Sequence, residues 1–177
     1  MSNDLFVHDE MKRLADLNAY QILDTPEEVD FDDLVELAAL ICNCPTSLIS
    51  FVDEDRQWFK ARRNLDALET SRDISFCSHA IQQDDVFTVD NPLEDDRFKN
   101  NSLVTGSLQI RFYAGAPIVS AAGSKLGTIC VIDNIARMLT SEQKEALKKL
   151  SRQASRLLEL RLQRRLLEKV LLDRQLI

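Results

Sequence analysis

The residues of this chain that could do chemistry fall into a few short strings. Cys77-Ser78-His79 sets a thiol two residues from an imidazole, with Phe76 directly before it and Arg72 close upstream. Such a string offers a reactive thiolate or a ligand pair; the alternative is structural, with Cys77 buried and His79 hydrogen-bonded to backbone. Cys42-x-Cys44 lacks the two-residue spacing of thioredoxin-like and zinc-ribbon pairs, and Cys42 belongs to the apolar face of a helix. Asp95-Asp96-Arg97-Phe98 puts two carboxylates beside a guanidinium in a loop, a weak acid–base pair and a good turn held by charge-assisted hydrogen bonds. Arg111-Phe112-Tyr113 reads as extended, so Arg111 and Tyr113 share a face opposite Phe112. Turned toward a pocket, Arg111 offers a fork for an anionic group and Tyr113 a stacking surface; turned outward, they decorate solvent. Trp58 is a pocket wall or a core anchor.

These strings do not add up to a complete active site. The glycines Gly106, Gly115, Gly123 and Gly127 form no phosphate cradle, and no run resembles a P-loop, a dinucleotide fingerprint or a zinc-protease helix. The expectation is a ligand pocket drawn from Trp58, Phe76, Cys77, His79, Arg97, Phe98, Arg111 and Tyr113, with no catalytic residue or metal ligand assigned and the cofactor unknown.

The elements that must position these residues follow from periodicity. Residues 8–20 place Met11, Leu14, Ala15 and Leu17 at helical spacing. Thr25-Pro26-Glu27-Glu28 predicts a second helix start, with Thr25 as cap and Glu28 completing a capping box, running to about Cys42 before Pro45. At Thr46 the period changes from 3.6 to 2: 47–52 and 56–61 predict a hairpin around Asp53-Glu54-Asp55. The segment 62–109 is irregular, with a short helix near 76–82 and a brief strand at 86–89, and such a decorated crossover often builds a pocket. Strands 109–119 and 125–133 form a second hairpin through Ala121-Ala122-Gly123-Ser124. Thr140 with Gln143 caps a last helix running to the end of the chain. The simplest solution is an α+β fold, an antiparallel sheet with terminal helices on one face and the crossover on the other. Its parts are an N-terminal helix (1–24), a core (25–138) and a long C-terminal helix (139–177).

That last helix carries Leu147, Leu150, Ala154, Leu158, Leu162, Leu166 and Val170 in a stripe broadened by Leu157, Leu160, Leu167 and Leu171. One small sheet cannot cover so wide a face. A heptad begun at Leu147 and Leu150 meets Arg161 and Arg164, so a helical bundle between two chains fits better than a regular coiled coil. We expect a homodimer built partly from this helix, alongside its packing on the N-terminal helix of its own domain.

Composition narrows the function classes. The 177 residues are 45% hydrophobic, enough for one core, and no stretch has the roughly 18 apolar residues of a membrane span. Nor does the N-terminus have the order of a signal peptide. Four irregularly spaced cysteines suit a reducing compartment, and a cytoplasmic location is expected. The net charge of −7 argues against nucleic acid as partner, although residues 141–177 carry 10 Lys/Arg against 5 Asp/Glu.

Several strings resemble those of the GAF domains that open many bacterial sensor histidine kinases and GGDEF-type diguanylate cyclases. They are LADLNAYQILDTPEEVD (14–30), SLISFVDEDRQWFKAR (47–62), SRDISFCSHAI (71–81), DDRFKNNSLVTG (95–106), and IRFYAGAPI followed by LGTICVID. Ser102 departs from the Asn-Pro that members often carry before Leu-Val. The resemblance implies a six-stranded antiparallel sheet, a pocket under the crossover and output through the last helix, but it supplies no ligand. Bilin-binding relatives attach chromophore through a cysteine near a histidine, yet the string around Cys77 and His79 is not theirs; nor is the cysteine arrangement that of the methionine-sulfoxide reductases on this fold.

The functional expectation is a sensory module that binds a small molecule or senses redox state and signals through its C-terminal helix to a kinase or cyclase output domain. With Leu171, Leu172 and Leu176 still apolar, the chain reads as part of a longer protein. The alternatives are a thiol enzyme or redox sensor using Cys77 and His79, and a structural dimerisation module with a degenerate pocket.

Overall fold

The computed structural model describes residues 2–175, with side chains from 9 to 174. Its centre is β1 (Thr46–Val52), buried on both faces and paired antiparallel with β2 (Arg56–Arg63) and β6 (Lys125–Asp133). Beyond them lie β3 (Glu69–Ser71) next to β2, and β5 (Phe112–Val119) followed by β4 (Phe87–Val89) next to β6. The result is one six-stranded antiparallel sheet in the order β3-β2-β1-β6-β5-β4.

Because successive strand residues point to opposite faces, the sheet sorts its side chains into two cores. On one face Ile49, Phe51, Phe112, Ala114 and Ile129 meet α1 (Ser2–Tyr20), α2 (Val29–Cys42) and the first half of α5 (Ser141–Gln175). Leu147, Leu150, Ala154 and Leu158 bury here, each leucine worth about 2 kcal/mol of transfer free energy. On the other face Leu48, Phe59, Tyr113 and Cys130 lie under the crossover, which contains α3 (Cys77–Ala80) and α4 (Ser102–Thr105).

The sequence-predicted elements are present, with informative shifts at their ends. The α5 capping box forms: the Thr140 N–H donates to Gln143 Oε1 at 2.9 Å, and the Gln143 N–H to Thr140 Oγ1 at 3.2 Å. The one predicted for α2 does not. Glu28 is the cap residue, its carbonyl accepting from the Phe31 and Asp32 N–H groups. The Thr25 hydroxyl donates instead to the Ile22 carbonyl and accepts from Lys60 Nζ at 3.0 Å, so a buried lysine has taken the hydroxyl a cap needs. Helix α1 starts earlier than residue 8, and β3, only three residues long, carries no period-2 pattern in the sequence. Strand β5 starts at Phe112 and not at Gln109, because Gln109 has φ 48° and breaks the extended run.

Helix α5 is 35 residues, about 50 Å at helical rise. Its second half leaves the body with Leu160, Leu166, Leu167, Val170, Leu171 and Leu172 exposed. Leu176 lies outside the described residues. Among these, no helix is long and apolar enough to cross a membrane.

Candidate functional site

Most of the sequence-predicted site residues do come together, and they fill space where a pocket was expected. At the β4–β5 end of the crossover face, Phe76 stacks on Phe98 with centroids 4.2 Å apart and 8° between planes. Tyr113 lies 5.2 Å from Phe76, and the His79 ring meets Phe98 edge-on at 4.8 Å. Arg97 closes the cluster, its guanidinium 5.1 Å from the Phe87 centroid and 5.3 Å from that of Phe98, while a two-pronged contact to Asp95 at 2.9 and 2.6 Å holds it in place. This is an aromatic plug.

Cys77 sits at its base, 2% exposed, its sulfur accepting from Tyr113 Oη at 3.3 Å and Thr128 Oγ1 at 3.2 Å. Gly115 makes the first of these contacts possible: a Cβ there would stand 2.3 Å from Tyr113 Oη, since the tyrosine leans along its own strand over the residue two ahead. The hydrogen bond from Cys130 draws the Cys77 thiol below its ordinary value against the effect of burial, helped by Thr128, Tyr113 and Ser50. The same hydrogen bond and burial push Cys130 well up.

This environment does not make Cys77 an enzymatic nucleophile. Among the described residues no hydrogen bond joins it to His79, whose pKa is lowered by burial and by Arg97, and the plug covers the sulfur. Reactive thiols need access as well as thiolate character. Thiol chemistry at Cys77 would therefore require the plug to open.

Two of the predicted residues stand apart. Trp58 is 7% exposed and packs in the core on the helix face, opposite the crossover, so it is an anchor. Arg111 precedes β5, and its Nη1 donates to the carbonyls of Val104 at 2.8 Å and Ile110 at 3.0 Å, which ties the end of α4 to the sheet. It is a staple in this structure, and an anion fork would have to give up those bonds.

The open space lies at the other end of the same face. A cavity of about 260 Å³ has a floor made by Thr46 and Leu48 of β1, Gln57 and Phe59 of β2, and Ile132 of β6. Its roof is Leu103 of α4 with Ser107, Leu108 and Ile110, and its rim Asn64, Leu65, Thr70 and Asn134. Asn101 holds the roof: its side chain accepts from the Leu103 N–H at 2.9 Å and donates to the Ile74 carbonyl at 3.0 Å. None of the eight predicted residues lines this cavity. Period 2 in β1 and β2 already put Leu48, Gln57 and Phe59 on one face, and Gln57 is a polar residue at a buried strand position. Nothing in 103–110 signalled the roof.

A second hollow, of about 300 Å³, runs on the helix side between α2 and α5 and is lined by Glu28, Phe31, Leu157 and Arg161 among others. Here Glu28 meets both Lys60 Nζ, buried at the end of its β2 side chain, and Arg161 Nε at 3.0 Å. Arg161 also donates to the Gln21 carbonyl at 3.1 Å. This hollow is the joint between sheet, α1, α2 and the departing helix.

Among the described residues no group of three or more His, Cys, Asp or Glu could hold a metal ion. The family model described as GAF domain matches residues 26–158. The chain belongs to the GAF family. The match takes in α2, the six strands, the crossover and the first half of α5.

A cyclic di-GMP phosphodiesterase of Pseudomonas aeruginosa is 37% identical over 147 residues, which is 83% of this chain and 25% of that protein. The chain thus spans about a quarter of that relative's length. Among solved structures, the GAF domain of an Acinetobacter phosphoenolpyruvate-protein phosphotransferase superposes with a TM-score of 0.62 at 16% identity, covering 85% of this chain and 92% of that one. The PixJ GAF domain of Thermosynechococcus elongatus, in its blue-light absorbing form, gives 0.58 at 14% identity over 90% and 95%. At such identities these two establish the shared GAF fold and nothing about ligands.

Proposed function

We propose that this GAF domain binds a small molecule in the cavity between the sheet and α4, and passes the change through α5 to an output domain. A second copy pairs with it along the projecting half of α5. The output is a histidine kinase, a diguanylate cyclase or, in line with the P. aeruginosa relative, a cyclic di-GMP phosphodiesterase.

One observation carries the reading. Strand β2 presents Gln57 and Phe59 to the cavity on one face and Lys60 to the helices on the other, where Glu28 joins Lys60 to Arg161 of α5. A shift of β2 on ligand entry therefore acts on an ion pair that α5 shares, which is the kind of packed, two-sided element through which coupling travels. The leucines exposed beyond Leu160 support pairing, since an apolar helix face of that length is costly in water.

Native mass spectrometry of the purified chain tests both parts. The expected result is a dimer that becomes monomeric in a Leu167→Ser, Leu171→Ser double variant, with retained small-molecule mass released on denaturation. A wild-type monomer would overturn the pairing. A dimer indifferent to both substitutions would move the interface elsewhere.

A further inference from the structure

The cavity between β1, β2 and α4 is lined without one ionisable side chain. Its polar groups are the amides of Gln57, Asn64 and Asn134 and the hydroxyls of Thr46, Thr70 and Ser107. Several are already engaged with one another. Gln57 Oε1 accepts from Ser75 Oγ at 2.7 Å, and its Nε2 donates to Thr70 Oγ1 at 2.5 Å. Asn64 Nδ2 donates to Thr46 Oγ1 at 3.2 Å, and Asn134 Nδ2 to the Leu108 carbonyl at 2.6 Å. Each threonine oxygen thus accepts from an amide, which leaves its hydroxyl proton to donate. Asn64 and Asn134 keep an amide oxygen to accept.

We propose that the ligand of this cavity is a small uncharged molecule. It has an apolar ring or branched chain against Leu48, Phe59 and Ile132, and one amide, carbonyl or hydroxyl end among Thr46, Asn64 and Thr70. The proposal rests on the reading of this cavity as the sensor's ligand site. Size follows from volume. A cavity of roughly 150 Å³ takes benzene, so about 260 Å³ suits roughly ten non-hydrogen atoms. Charge follows from desolvation. A phosphate or carboxylate seated on the floor, away from the exposed rim of Asn64, Ser107 and Asn134, would lose its hydration with no cation in the lining to replace it. Arg56, Arg63 and Arg111 adjoin lining residues in sequence, and each is engaged elsewhere: Arg56 with Asp24, Asp53 and Glu69, Arg63 with Glu36, and Arg111 Nη1 with the Val104 and Ile110 carbonyls. Nucleotides, whether cyclic mono- or dinucleotides, fail on both counts.

The test uses isosteric amide and acid pairs, benzamide with benzoate and cinnamamide with cinnamate among a small panel, titrated into the isotope-labelled chain at neutral pH. Methyl resonances of Leu48, Leu103 and Ile132 report on the cavity. The expected result is that amides shift these resonances and bind at least about tenfold more tightly than their acids. Leu103→Trp should abolish the response by filling the cavity, and Leu108→Trp does the same from the exposed edge if the first variant fails to fold. Acids that bind as tightly as amides overturn the uncharged class while leaving a ligand site, and loss of that binding in Arg111→Gln would place the anion on the guanidinium. If no member of any pair moves these resonances, both this inference and the ligand-site reading fall. Amide binding indifferent to both tryptophans puts the ligand elsewhere and equally overturns it.

Discussion

The two ends of the crossover face are built from one sheet and one crossover, yet one is solid and the other hollow. At the β4–β5 end Phe76, Phe98, Tyr113 and His79 interlock and Arg97 caps them. At the β1–β2 end the lining is aliphatic or polar apart from Phe59, and the strand floor and the α4 roof leave a cavity of about 260 Å³ between them. Aromatic rings with centroids 4 to 6 Å apart leave no room between them, whereas leucines and threonines on facing layers leave a gap unless another layer interdigitates. The difference teaches that residue types associated with chemistry are also those that pack best. In this chain they were used for packing.

The sharpest way to break the comparison is to truncate one residue at each end. Phe98→Ala should cost about 3 to 5 kcal/mol in denaturant unfolding, because Phe98 is 1% exposed and its loss leaves a void among rings. Leu103→Ala, on the roof of a cavity that already exists, should cost about 1 kcal/mol. Equal losses would mean that the hollow end is as tightly packed as the solid one.

Gly115→Ala should be next in size, at about 1 to 3 kcal/mol, since the added methyl must displace the Tyr113 hydroxyl from above its own strand. Its signature is local. The Tyr113 and Cys77 environments change by NMR, while the lining resonances of Leu48 and Leu103 stay in place.

Cys77 tests the solidity of the plug kinetically. Its thiol is drawn below its ordinary value, so by thiolate content alone it should alkylate quickly at neutral pH. We expect instead that iodoacetamide labels it at the rate at which the plug opens, slower than the same thiol in denaturant by several orders of magnitude. Fast labelling of the native chain would restore the thiol-enzyme alternative.

The smallest effect is the pH dependence. Burial first, and Arg97 second, hold His79 below its ordinary value of 6.5, so the folded state favours the neutral ring. Its folded pKa is depressed relative to the unfolded one. The stability it contributes is therefore complete above pH 6.5 and lost as pH falls through the folded value. Asp95, itself lowered by Arg97, faces the same ring and opposes the shift. A shallow fall in unfolding free energy below pH 6.5 that His79→Gln removes is the expected result. The cavity holds no titrating side chain, so the affinity of a neutral amide there should stay flat across the same range.

What the amino-acid sequence determined by itself is what local physics controls. Period-2 and period-3.6 patterns located most of the strands and all three long helices, because side-chain alternation follows from the backbone alone. The Thr140–Gln143 cap formed because both its hydrogen bonds close within one turn. The strings 14–30, 47–62, 71–81, 95–106, 110–118 and 126–133 carried the family resemblance, and with it the sixth strand that no pattern in residues 69–71 announces. The tertiary structure decided the rest. Thr25 lost its capping role to Lys60, which is 35 residues away in sequence and buried only when β2 packs against α2. Trp58 and Phe59 were assigned to opposite faces, one to the helix core and one to the cavity wall. Whether Phe76, Cys77, His79 and Tyr113 would line a hollow or fill it depended on distances between the crossover and β5. The cavity arose where long-range packing brought Leu103 and Leu108 over Leu48 and Phe59 without closing the gap, and a space between residues leaves no mark on the residues that surround it.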